Sequence, residues 1–137
     1  MNGMNEDERD TPMYGGSGVS EAIIGAAFHV SNSLGCGFLE KVYENALAVE
    51  LRFRGHQVLQ QAPIEVRYRG EIVGLYQPDL LVDRSVIVEL KAQEGIGRIH
   101  RAQCLNYLRA TGLRVGLVIN FGRPRMEFHR VIAPVDS

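Results

Sequence analysis

The spacing of apolar positions along this chain changes period more than once, and each change predicts a new element. Residues 20–35, SEAIIGAAFHVSNSLG, carry Ile23, Ile24, Ala27, Phe28 and Val30 at helical intervals. Ser20 stands where an N-cap belongs, Glu21 falls in the first turn, and Leu34-Gly35 closes the segment as a C-terminal cap. A second helix is predicted over residues 38–55, FLEKVYENALAVELRFRG. Its apolar positions are Leu39, Val42, Tyr43, Ala46, Val49 and Phe53, and Gly55 ends it.

The period then becomes two. Strand-like runs lie around Val58 and from Ile64 to Tyr68, and a tight turn at Arg69-Gly70 leads into a strand from Ile72 to Tyr76. Two more strands follow, Leu80 to Val82 and Val86 to Lys91, turning near Asp83-Arg84. A third helix covers residues 99–111 and stops at Gly112. LRVGLVINFG reads as an apolar central strand and RMEFHRVI as an edge strand. The order α-α-β-β-β-β-α-β-β indicates an α/β (α+β) protein, a mixed central sheet flanked by helices.

Composition narrows the class. With 137 residues, 45% of them hydrophobic and 23% charged, the chain fits one ordinary globular domain, expected over residues 18–137. Residues 1–17 read as a disordered acidic tail, with acids where a signal peptide needs a basic start, so a cytoplasmic location is expected. No apolar run reaches membrane-spanning length, which argues against a membrane partner. Cys36 and Cys104 read as reduced thiols packed as small hydrophobes. The four histidines have no zinc-ligand spacing. The tail carries a net −3 of the total −1, leaving +2 elsewhere, almost all of the basic side chains being arginine. That surplus is weak support for a nucleic-acid partner, and a salt-bridged surface explains it equally well.

One stretch does not fit a plain core strand. PDLLVDRSVIVELKA, residues 78–92, places Asp79, Glu89 and Lys91 among β-branched and aliphatic residues. Strand alternation puts Glu89 and Lys91 on one face with Ile87, and Val86, Val88 and Leu90 on the packed face. If the turn takes three residues, 83–85, an antiparallel hairpin sets Asp79 directly opposite Glu89, with Cβ atoms roughly 4.5–5.5 Å apart. Two ionised carboxylates at about 4 Å repel by about 4 kcal/mol at an effective dielectric of about 20. Protonation, Lys91 or a bound cation must neutralise them. Glu-x-Lys alone is most often a solvated strand face; the apolar setting and the paired acid favour chemistry. Carboxylate oxygens and the Leu90 carbonyl suit Mg²⁺ or Mn²⁺. Such an ion acidifies a bound water, and Lys91 would offset charge developing on a phosphate.

Asp79, Glu89, Leu90 and Lys91 together resemble the PD-(D/E)XK nuclease superfamily, with Pro78-Asp79 its literal PD. Upstream, GFLEKVY (Gly37, Glu40, Tyr43) is similar to the pattern that names the GxxExxY family of small bacterial and archaeal proteins. The similarity extends from about Ser20 to Val131 and includes VELKA and GLVINFG.

The resemblance implies a restriction-endonuclease-like core of order α-β-β-β-α-β. It also implies a magnesium-dependent nuclease acting on DNA more than RNA, with Asp79, Glu89, Leu90 and Glu40 as metal ligands. Lys91 would be the catalytic lysine and Gln103 a polar residue near the site. Glu40 is also explained as a first-turn acid favoured by the helix dipole, and Tyr43 as a packing aromatic whose hydroxyl reaches the site. Many members carry histidine where Ser31 stands, a departure that points to a weakened or specialised site. Arg52, Arg54, Arg98, Arg101 and Arg109 are candidate phosphate contacts. So small a core would need a homodimer or partner protein to embrace a duplex. The competing expectations are a catalytically silent nuclease-like module that binds nucleic acid or protein, and a regulator that senses metal.

Overall fold

The computed structural model describes residues 17–134. The expected acidic tail therefore lies outside the described residues, except Ser17, which opens the first helix. The elements are α1 (Ser17–Leu34), α2 (Glu40–Phe53), β1 (Val58–Gln60), β2 (Ile64–Tyr68), β3 (Glu71–Tyr76), β4 (Leu80–Val82), β5 (Val86–Lys91), α3 (Arg98–Thr111), β6 (Val115–Asn120) and β7 (Glu127–Ile132). The runs at Val58 and Ile64 are separate strands, so five strands precede α3. Among the described residues no helix is long and apolar enough to cross a membrane.

Five strands form the main sheet in the order β1-β4-β5-β6-β7, with β5 at its centre. β5 pairs antiparallel with β4 and parallel with β6, so the sheet is mixed. Both faces of β5 are packed. Val86, Val88 and Leu90 meet α1 and α2 in one apolar cluster, while Ile87 joins Cys104 and Leu108 of α3 in another. A strand covered on both faces reads as a continuous apolar run, which is why the sequence of β5 looks like core. β2 and β3 make a separate ribbon, and Ile64, Val66 and Tyr76 pack it onto the α3 side. Its two-residue turn has Arg69 and Gly70 both at positive φ (50° and 83°), the twist that favours a tight hairpin.

Three expectations need correction. Ser20 does not cap α1. The helix begins at Ser17, and Ser20 is buried within it, where its hydroxyl accepts a hydrogen bond from Arg130 Nε of β7 at 3.1 Å. Arg130 also pairs with Glu21, so this polar start is fastened to the sheet rather than free to cap. Cys104 is buried as expected, but Cys36 is exposed in the α1–α2 turn. In α2 the buried side is Tyr43, Glu44, Leu47, Ala48 and Leu51. Leu39, Val42, Val49 and Phe53 of the expected stripe face outward, because the helix has apolar residues on two sides and the sheet covers one.

Two local devices fix the ends of β5. At its start, residues 83–85 form the three-residue turn, with Asp83 and Arg84 in the left-handed region (φ 51° and 55°). The Asp83 carboxylate accepts from Gln57 N–H at 2.9 Å and lies 2.7 Å from His56 Nδ1, fastening the turn to the segment that enters β1. At its end, buried Asn120 clamps the chain beyond Lys91. Its Oδ1 accepts from Gln93 N–H (3.0 Å) and Gly122 N–H (3.0 Å), and its Nδ2 donates to the Gln93 carbonyl (2.8 Å). This explains the asparagine and glycine of VINFG.

Gly122 leaves room for that clamp, since a Cβ there would come within 2.2 Å of the Gln93 carbonyl oxygen. The obstacle is backbone, which cannot swing aside. We expect Gly122→Ala to destabilise the fold by about 2–3 kcal/mol. Gly25→Ala, exposed in mid-helix with no neighbour closer than 3.9 Å, should stabilise it by about 0.5–1 kcal/mol. Equilibrium urea denaturation of the two variants checks both signs.

Candidate functional site

The hairpin register is the starting point. β4 and β5 pair Leu80 with Val88, Leu81 with Ile87 and Val82 with Val86. Continued by one residue, this sets Asp79 opposite Glu89. The two segments clasp each other there. Asp79 Oδ2 accepts from Leu90 N–H at 2.7 Å, and the Asp79 backbone N–H bonds to the Glu89 side chain. Pro78 cannot continue a ladder of donors, and β4 begins just after Asp79, leaving that side chain free to reach the backbone of β5.

Glu89 and Lys91 project from the end of β5 into a cleft of about 360 Å³ between the sheet, α3 and the β2–β3 ribbon. Gln103, exposed on α3, stands on the same cleft, as do Gln61, Tyr76 and His100. The rings of Tyr76 and Tyr107 stack in parallel at 3.6 Å, joining ribbon to helix. The Tyr76 hydroxyl donates a hydrogen bond to Glu89 Oε2. Burial raises the pKa of Glu89 to about 7; Lys91 and the Asp79 N–H oppose the rise, and the nearby charges of Glu40 and Glu44 add to it. Cys104, behind the cleft, is pushed up to about 12 by burial and by Glu89, so its thiol stays protonated.

Glu40 is the first residue of α2 and is exposed, outside the cleft lining. It lies seven and eleven residues before Leu47 and Leu51, and so shares their inward face. Its charge is felt at Glu89 from there. The acid that α2 buries is Glu44, one turn on. Glu44 accepts from Lys41 (3.0 Å), Gln60 (2.8 Å) and Gln61 (3.1 Å). The Gln61 amide also donates to Asp79 Oδ1 at 3.0 Å, bridging the helical acid to the strand acid. Gln61 holds a left-handed backbone (φ 55°), a conformation that costs a non-glycine residue about 1–3 kcal/mol. Its N–H points at the carbonyls of Pro78 and Asp79, both at 3.2 Å.

Sequence reasoning missed Glu44, Gln61, Tyr76 and His100. Glu44 carried a signal, a second acid at i+4 from Glu40 and so on the same helical face. The other three are brought in by contacts between distant elements and carried none.

Several expectations change place. The Tyr43 hydroxyl does not reach the site: it donates to the Gly35 carbonyl (2.5 Å) and accepts from Phe38 N–H (3.2 Å), tying the α1–α2 turn. Its buried ring stacks on Phe121 at 4.7 Å. Ser31 is buried in α1 beside Phe28 and Met126, away from the cleft. His100 lines the cleft and accepts from Gly97 N–H at 3.1 Å, capping the start of α3. Arg52 and Arg54 belong to the α2 side, where Arg52 donates to the Val58 carbonyl and Arg54 pairs with Glu50. Arg98, Arg101 and Arg109 lie on α3 across the sheet, so these arginines do not form one phosphate-binding face.

Among the described residues, no three His, Cys, Asp or Glu side chains are grouped so as to hold a metal ion. Each of these carboxylates already has protein donors. Tyr76 occupies Glu89, Gln61 and the Leu90 N–H occupy Asp79, and Lys41 and two glutamine amides occupy Glu44. The donor chemistry, several carboxylates with mutual repulsion felt at Glu89, suits a hard divalent cation. As the side chains stand, their oxygens are turned to protein donors instead.

The raised pKa makes Glu89 a pH-dependent liability. Between the ordinary value of 4.5 and about 7 the unfolded chain has lost this proton while the folded chain keeps it. The folded state then binds more protons, so its stability falls as pH rises through this window and is full below it. We expect the stability gap between Glu89→Gln and wild type to widen in favour of the variant from about pH 4.5 to about pH 7. Denaturant titrations across that range would contradict the assignment if the gap stayed flat.

Among curated protein sequences none is significantly similar to this chain. Among solved structures, the crystal structure of SSO0001 is similar at 17% sequence identity and a TM-score of 0.49, over 88% of this chain and 61% of that one. This chain thus spans less than two thirds of that protein's length. The sequence model of the PD-(D/E)XK nuclease superfamily matches residues 17–131, from the start of α1 into β7. That match takes in the Asp79, Glu89 and Lys91 positions and most of the fold around them, and on it the chain belongs to the PD-(D/E)XK nuclease superfamily.

Proposed function

We propose that the chain is a metal-dependent nuclease of the GxxExxY type, cutting phosphodiester bonds in DNA in preference to RNA. The observation that carries this reading is the placement of Glu89 and Lys91 in one cleft with Asp79 clasped to the same strand. Superfamily membership adds the expectation of a divalent metal. In this reading Asp79, Glu89 and the Leu90 carbonyl would hold Mg²⁺ or Mn²⁺, with Glu40 completing the set and Glu44 supporting it from α2. When bound, the ion acidifies water and withdraws charge from the phosphate.

The protein's own part follows from the cleft. Lys91 presents an ammonium beside the reacting phosphate and offsets negative charge as it develops. Tyr76 holds Glu89 through its hydroxyl and would share that oxygen with the ion, while Gln61 holds Asp79 by its side-chain amide. Gln103 and His100, at the entrance to α3, offer polar contacts to the sugar-phosphate chain. The cleft volume lies near the lower end of ligand-sized cavities, about 300–1,000 Å³.

One observation favours a second reading, a catalytically silent module that binds nucleic acid or a protein. The acids are satisfied by protein donors, and no three of them are grouped for a metal among the described residues. Labelled single- and double-stranded DNA and RNA, each with Mg²⁺, Mn²⁺ or EDTA, separate the two. The nuclease reading expects metal-dependent cleavage that falls at least about 100-fold in Lys91→Ala, Glu89→Gln and Asp79→Asn. Binding without cleavage under every condition would establish the silent module.

A further inference from the structure

Charge is segregated along this chain. Residues 95–126 contain six arginines and no aspartate or glutamate, a net +6 within a chain whose total is −1. Such a run makes a local positive field on a nearly neutral molecule. It builds α3, β6 and the loop that leads to β7.

The fold gathers part of the run on one side of α3. Arg101 and Arg109 follow Arg98 by three and eleven residues, so the three share a helical face. That face is turned to β7, where Arg101 Nη1 lies 3.5 Å from His129 Nδ1. His100, Gln103 and Tyr107, on the neighbouring side of the helix, line the cleft. One helix thus carries the cleft wall on one side and a row of guanidinium groups on the other. Two arginines of the run lie elsewhere. Arg114 Nε donates to the Ala133 carbonyl, and Arg125 stands beside Phe28 and Ser31 of α1, across the sheet. Arg123 pairs with Glu127 at 3.6 Å.

The row has no counter-charge of its own. Among the described residues, Arg98, Arg101 and Arg109 form no ion pair with a carboxylate. Arg98 and Arg109 are exposed, but Arg101 is half-buried against the half-buried His129. A guanidinium that has lost part of its water and faces an imidazole gains from an anion supplied from outside. The chemistry of the row suits phosphate. All the basic groups of the run are arginine, without a lysine, and the planar guanidinium takes two phosphate oxygens at once. From Arg98 to Arg109 the helix rises about 16 Å, the length of about five steps along one strand of a duplex.

We infer that Arg98, Arg101 and Arg109, with His129 beside them, bind the sugar-phosphate backbone of the nucleic acid next to the cleft. The inference rests on the reading of nucleic acid as this protein's ligand, and it is independent of cleavage.

Fluorescence anisotropy of labelled duplex DNA, single-stranded DNA and RNA, in EDTA between about 50 and 200 mM salt, tests it apart from catalysis. Wild type should bind in EDTA and weaken as salt rises. Arg98→Gln, Arg101→Gln and Arg109→Gln should each lower the slope of log affinity against log salt by about 1. The double variant Arg98→Gln, Arg109→Gln, whose two side chains are exposed, should lower it by about 2 with its far-ultraviolet circular dichroism unchanged. Arg84→Gln, at the far end of β5 from the cleft, should bind as wild type does. A double variant that keeps the wild-type slope would overturn the inference and leave the nuclease reading standing. Metal-dependent cleavage by a protein that does not bind in EDTA would do the same. The expected slopes without cleavage in Mg²⁺ or Mn²⁺ would support the arginine row and contradict the nuclease reading. Polyglutamate that competes as well as DNA would assign the row to an acidic protein and overturn the inference.

Discussion

A carboxylate confined at the end of a strand that is covered on both faces is the constraint on which the rest of this structure turns. β5 is the centre of the sheet, and its apolar residues supply the packing that α1, α2 and α3 share. Glu89 is carried into that setting by the strand's register and loses hydration there, which holds its proton affinity near neutrality. Its surroundings answer that cost with the Tyr76 hydroxyl, the Lys91 ammonium and the Asp79 N–H. Strained backbone at Gln61 and the clamp by Asn120 lie on either side of this cluster. They hold the chain in a shape that apolar packing alone would not choose.

Seen this way, the protein donors and a divalent cation are alternative answers to one electrostatic problem. Acids close enough to raise each other's pKa need a counter-charge or hydrogen bonds. In this structure hydroxyl, amide and backbone donors meet the need; among the described residues the acids form no metal-like grouping. A cation would compete with Tyr76 and Gln61 for the same oxygens. The chain belongs to a superfamily whose nucleases typically use divalent metals, which is why the proposed nuclease reading includes one.

How much of this was legible in the sequence depended on whether a contact was local. The turn over 83–85 was readable from the alternation of β4 and β5, and with it the register that sets Asp79 against Glu89. The cap at Gly112 and the hairpin at Arg69-Gly70 followed from local backbone chemistry in the same way. Helix faces were harder. α2 offers two apolar sides, and nothing in its own residues says which one meets the sheet; the buried Glu44 made the true inner side look the more polar. Ser20 had the composition of a cap, but its partner Arg130 lies 110 residues away. Tyr76 and Gln61 reach the site from elements whose placement only the tertiary fold decides. The GxxExxY motif was legible as a pattern but not as a structure: its tyrosine secures the interhelical turn, and only its glutamate looks toward the acids.

The ionisation of Glu89 is the most direct test of the central claim, that its half-buried carboxylate holds its proton to near neutrality and is the group the proposed cation would take up. Side-chain carboxyl carbon resonances followed by NMR through a pH titration, with and without Mg²⁺, would report it at the atom concerned. The account predicts a midpoint near 7 without the ion and a clear fall when Mg²⁺ is added. A midpoint at the ordinary value of 4.5, unmoved by the cation, would contradict it.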